Sequence, residues 1–349
     1  MQIKLNPDQL FNSKNIADNC DLIYAQKVSS HEYQEIKKSR KTVVISTTNS
    51  DDYHTVLYKQ TEFLVQDNSV IYCHSDLIED LFSILKTTSN LKCLSIITGQ
   101  SDRKINKSLF KKKPPAVTYW YSPNITYKNS HLISIPLGVA DRFAKKNLNI
   151  DDIHKNLDLT YGNKINKIYV NFTPNTNFRH RKNLYNLFSN KDFAVVDIPN
   201  ITNESYHENL GKYNFTLCPW GNGIDTHRFW EALYSGSIPV TIHHETYEKF
   251  KGTIPILFVS NYQEINSELM DKTIKNLNNP KPVELSIDNL FQQIRENHKT
   301  GNKSTVEIKE SYEMYVKNKI NYQKREKKLQ QIKILKTYYR KIYQRLSKR

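Results

Sequence analysis

The sequence predicts an α/β protein of two lobes with a basic helical extension at its carboxyl end. Short apolar runs alternate with helical runs through the second half, and strand-length apolar runs recur less regularly in the first. From Ser304 onward the pattern becomes one long helix, dense in charge and nearly free of breakers. At 349 residues the chain exceeds the length that one apolar core usually serves, so two domains plus an extension are expected, at 1–145, 146–303 and 304–349.

In the first lobe, residues 42–46, 69–73, 92–97, 117–120 and 132–135 read as strands, and 76–86 has helical spacing. The polar segment 138–164 marks a hinge with a cleft beside it. Beyond it, 168–172, 193–198, 213–218, 237–242 and 256–259 read as buried strands, with helices at 179–188, 205–210, 225–234 and 246–250 between them. Successive βαβ units predict a parallel, Rossmann-like sheet, whose ligands sit beyond the carboxyl ends of the strands, where the turn at 219–225 falls. In the extension, residues 324–349 hold eleven Lys or Arg against one Glu, a net +10 out of +16 for the chain. Leu329, Ile332, Leu335, Tyr339, Ile342 and Leu346 recur at helical spacing beside those cations. That stripe suits an anionic membrane surface, docking on the protein itself or coiled-coil pairing; no recognised nucleic-acid motif accompanies it, so no specific nucleic-acid partner is expected.

Composition narrows the class further. Apolar residues at 38 % and charged ones at 25 % fit a globular protein with a wet, basic surface. Cys20, Cys73, Cys93 and Cys218 show neither C-x-x-C pairing nor zinc spacing, and the last three, in or at the end of apolar runs, are expected as buried free thiols. The opening residues contain no apolar signal core and no run approaches the ~20 apolar residues of a membrane span. A cytoplasmic location is expected, with peripheral contact at the inner membrane face through the extension.

The most informative stretch is 213–240, YNFTLCPWGNGIDTHRFWEALYSGSIPV, where strand, turn, helix and strand follow without padding. Gly221 and Gly223, flanking Asn222, permit positive φ and let a ligand approach the backbone closely, while Asp225 or Thr226 is expected to cap the helix and Gly236 to stop it. A helix start carries unpaired donors and partial positive charge, so a diphosphate is expected there, reinforced by Arg228. Glu231 lies three residues on, where its carboxylate accepts from ribose hydroxyls or a base. The competing reading is an ordinary surface ion pair between the two. Arg179 or Arg181, at another helix start beyond a strand end, is expected as a second phosphate ligand, the competing reading being a solvated helix start. No D-x-D triplet is present to hold a metal across a diphosphate, so protein cations must serve, and His227, His243 and His244 read as surface residues. A general base belongs to the first lobe: Asp102 first, then Asp76 and His74.

The segment P-W-G-N-G-I-D-T-H-R-F-W-E-A-L-Y-S-G-S-I-P-V resembles the signature of exostosin-like glycosyltransferases: a Pro-x-Gly turn, an Arg, a Glu-Ala-Leu and a Gly-x-Ile-Pro-Val close. I-I-T-G-Q-S-D at 96–102, W-Y-S-P-N at 120–124 and I-P-L-G-V at 135–139 resemble that family's earlier motifs in the same order, so the likeness spans about residues 90–260. Ser237 stands where many members carry cysteine, and nothing before residue 90 matches. The resemblance implies two facing Rossmann-like domains, the GT-B arrangement, with Arg228 on the donor diphosphate and Glu231 on the nucleoside. It implies a transferase of polysaccharide biosynthesis that needs no cofactor, with a UDP or GDP sugar as donor and a glycan or lipid-linked acceptor. A fucosyltransferase-like enzyme of the same architecture and a nonenzymatic binder of polyanions or membranes are the alternatives.

Overall fold

A computed structural model describes residues 5–49, 54–88, 90–144, 147–174, 176–197, 201–277, 282–297 and 304–346. The first sheet is seven-stranded. Leu22–Ser29 (β1), Val70–His74 (β5), Leu94–Gly99 (β6), Val117–Ser122 (β7) and Leu132–Ser134 (β8) run parallel, while Thr42–Asn49 (β2) and His54–Gln60 (β3) join antiparallel beyond β1. Glu62–Gln66 (β4) lies outside this sheet. The second sheet is wholly parallel: Ile165–Val170 (β9), Ala194–Val196 (β10), Tyr213–Leu217 (β11), Ile238–Ile242 (β12) and Leu257–Val259 (β13).

Strand periodicity explains how the layers join. In β5, Val70 and Tyr72 face one apolar cluster, while Ile71 and Cys73 face the other, under the helix Ile78–Leu85. The cluster holding Val70 and Tyr72 continues through Ile97 and Tyr121 into Phe215, Trp230 and Val240, so both sheets share one core. The polar segment expected as a hinge is packed into it: Val139, Leu148, Ile150, Ile153 and Tyr161 are buried there, and Ile150–Lys155 is helical.

Other expectations need correction. Residues 304 onward are not all helix, because Thr305–Lys309 (β14) pairs antiparallel with β4 before the helix Tyr312–Leu346 begins. The helix expected at 179–188 is two short ones, Phe178–Arg181 and Leu184–Phe188. The one expected at 225 starts at His227. Strands β1, β3 and β4 escaped the sequence reading because polar residues break their apolar runs. Lys59 on β3, 1 % exposed, is the clearest case: its ammonium meets Glu310 at 2.7 Å, and that partner lies 251 residues away. All four thiols are free, Cys73 and Cys218 buried and Cys93 only half-buried. Among the described residues no helix is long and apolar enough to cross a membrane.

Candidate functional site

The second sheet has the order β10-β9-β11-β12-β13, so its winding reverses between β9 and β11. In doubly wound sheets a ligand crevice opens at such a reversal, outside the carboxyl ends of the two strands. Arg181 ties these ends together. It donates from Nε to Trp220 O at 2.9 Å, from Nη2 to Pro219 O at 2.7 Å and from Nη1 to Thr173 O at 3.2 Å. It is 3 % exposed and has no acidic partner among the described residues, so burial lowers its pKa to about 10, with the like charge of Arg228 adding to the effect. Arg181 therefore clamps backbone first and lends positive potential second. Arg179 lies in the same short helix, its side chain outside the described part.

Arg228 and Glu231 stand one turn apart on the helix His227–Tyr234. They are not a surface ion pair. Glu231 is 4 % exposed, its Oε2 accepts from the Tyr206 hydroxyl at 2.9 Å, and no ion pair joins it to Arg228 among the described residues. The Arg228 guanidinium lies 5.6 Å from the Tyr206 ring centre, and its buried Nε has no hydrogen-bond partner. Burial opposes the charge on Arg228, but Tyr206 and Glu231 outweigh it and hold its pKa up. Burial raises the pKa of Glu231 against the pull of Arg228.

The turn before this helix departs from expectation. Neither Gly221 nor Gly223 has positive φ. Gly223 is needed because Asn124 of the first lobe packs against it: a Cβ there would stand 2.8 Å from Asn124 Oδ1. That oxygen accepts from Ile224 N–H at 2.5 Å and Asp225 N–H at 2.9 Å, and Thr226 N–H donates to Asp225 Oδ1 at 2.9 Å. These three amides, expected on the diphosphate, are spent inside the protein. Asp225, expected beside the donor, is 2 % exposed and accepts from Leu137 N–H at 2.8 Å and Trp230 Nε1 at 2.9 Å, so it ties the inter-lobe segment to the helix. Burial raises its pKa to about 6, against the pull of Leu137 and Trp230. Thr226 occupies the cap position but makes no side-chain cap bond, and its Oγ1 and Trp220 Nε1 are buried without partners. With Arg228 Nε and Asn124 Nδ2, they are buried side-chain groups around this turn without a hydrogen-bond partner among the described residues.

In the first lobe Asp102 is exposed, in the loop after β6, with Asn222 and His227 near enough to act on its charge. Surrounding protein raises its pKa, while His227 and Asn222 pull it down. His227 Nδ1 sits 2.7 Å from Gly138 O. A carbonyl only accepts, so Nδ1 carries a proton in this contact. His227, Tyr206 and Asn124 were missed in the sequence. His227 and Asn124 meet partners 89 and 101 residues away, so no local spacing announces them.

The weaker base candidates are placed elsewhere. His74 is buried, its Nδ1 accepts from Asp76 N–H at 3.3 Å, and burial lowers its pKa to about 4. His243 pairs with Glu248 and His244 caps Thr246 N–H, and among the described residues no group of three His, Cys, Asp or Glu is placed to hold a metal. Two concavities of about 340 and 200 Å³ open on the first-lobe side, one lined by Lys14, Lys27, Gln100 and Asp141, the other by Ser13, Tyr72 and Gly99. Neither is lined by Arg228 or Glu231, so the candidate site at the winding reversal is defined by its polar groups alone. No protein-family model matches the chain.

Proposed function

We propose that this protein is a glycosyltransferase that moves a sugar from a nucleotide-diphosphate donor to a glycan hydroxyl, with the two lobes in the GT-B arrangement that the exostosin-like motifs imply. The observation that carries the reading is the trio of Arg228, Glu231 and Tyr206 at the winding reversal. It combines a guanidinium with an unengaged buried donor and a buried carboxylate oriented by the Tyr206 hydroxyl.

A departing diphosphate gains negative charge as the glycosidic bond breaks, and preorganised donors lower that barrier by ~3 kcal/mol each. Arg228 and Thr226 Oγ1 are those donors, with Arg181 adding positive potential from beneath. Glu231, oriented by Tyr206, takes a ribose hydroxyl or base edge. Asp102, with its pKa raised by the surrounding protein, is the base that receives the acceptor proton if the sugar inverts. The test is an assay of donor hydrolysis and transfer with UDP and GDP sugars. Arg228→Ala should lower turnover by ~100-fold or more in a protein that still melts cooperatively, whereas full turnover in that variant refutes its role.

A further inference from the structure

The extension begins as part of the first lobe and ends as something else. β14 pairs with β4, Glu310 meets the buried Lys59, Asn318 donates to Glu310 Oε1 at 2.9 Å and Arg325 stands 3.9 Å from Glu79. Met314 and Tyr322 pack against the first-lobe core. Past Glu326 every residue from Lys327 to Tyr338 is exposed, including Leu329 at 39 %, Ile332 at 38 %, Ile334 at 68 %, Leu335 at 55 % and Tyr338 at 63 %.

A bare helix draws little stability from its own backbone in water and usually depends on packing one apolar face. Here large apolar side chains lie uncovered among Lys327, Lys328, Lys333 and Lys336. Whatever covers them must be apolar in depth and anionic at its surface. A second copy fits poorly, because two segments each carrying +10 over residues 324–349 would be brought together. Nucleic acid offers no apolar layer for Leu329, Ile332 and Leu335, which have no ring with which to stack on bases. An anionic bilayer surface answers both demands, since apolar side chains reach the acyl boundary while lysines meet lipid phosphates.

We propose that the helix from Lys327 onward lies on an anionic lipid surface and that the clamp of Lys59, Glu310, Asn318 and Arg325 fixes the first lobe to it. Arg325 reaches Glu79, which also holds Arg103, the neighbour of Asp102, so the helix leaves the protein beside the crevice rim. This proposal does not rest on glycosyl transfer. It is tested by flotation of the full chain with phosphatidylcholine vesicles, with and without phosphatidylglycerol. The chain should float with the anionic vesicles only. Combined Lys327→Gln, Lys328→Gln, Lys333→Gln and Lys336→Gln should reduce partitioning ~10-fold or more, and so should combined Leu329→Ser, Ile332→Ser and Leu335→Ser. Both variants should keep the parent melting temperature, because the altered residues are exposed. No flotation, flotation unaffected by the serine variant, or a dimer in sedimentation that the serine variant splits would each overturn the proposal.

Discussion

Arg181 and Arg228 are two cations of one crevice with different duties. Arg181 spends its donors on three carbonyls, so Arg181→Met should leave them unpaired and cost about 3 kcal/mol in urea denaturation. Arg228 keeps a buried donor in reserve, so Arg228→Ala should abolish donor affinity in a protein that still folds. Asp225 gives a pH signature with a definite sign. Its folded pKa, about 6, lies above the ~3.9 of an unfolded aspartate, so between these values the native state binds more protons. Its contribution is fully present below about pH 4 and is lost as pH rises through 6. Urea midpoints at pH 4 and 7 should therefore show the wild type losing about 2 kcal/mol relative to Asp225→Asn over that interval.

At the scale of elements, the helix His227–Tyr234 is set by its two ends. At its carboxyl end Gly236, at φ +67°, donates to Leu233 O and Ser237 donates to Ala232 O, a Schellman close that satisfies two helix carbonyls. Gly236→Ala would strain that φ and bring its Cβ within 2.5 Å of Thr160 O, so a thermal melt should fall by an amount equivalent to about 2 kcal/mol or more. This stop was legible in the sequence, because glycine after an apolar-periodic run has one common use. The amino end was only half legible. Glycines at 221 and 223 announce a close approach, but residue type does not say whether a ligand or a neighbouring side chain approaches. Here Asn124 does, from 100 residues away. Tyr206 was equally hidden, since an aromatic on a helix reads as packing until Glu231 appears beside its hydroxyl.

At the scale of the whole molecule, local apolar periodicity disclosed the second sheet almost strand by strand, because parallel strands buried on both faces read as plain apolar runs. The first sheet was less legible, because β3 buries Lys59 and Gln60, whose partners Glu310 and Ile23 O lie far along the chain. Lys59 and Glu310 are such a pair, and Lys59→Met should leave the Glu310 charge buried, loosen the β14–β4 pairing and speed proteolysis within Tyr312–Leu346. The shared core also bears on mechanism. With Asn124, Leu137 and Gly138 bonded to the turn and helix of the other lobe, donor binding is expected to reorganise side chains around Arg228 more than to swing the lobes. The most direct test of the central claim is thermal denaturation of the parent protein and Arg228→Ala with UDP and GDP. The account predicts that one nucleotide raises the parent midpoint in a concentration-dependent way and leaves the variant unmoved. No shift in the parent, or an equal shift in both proteins, would contradict it.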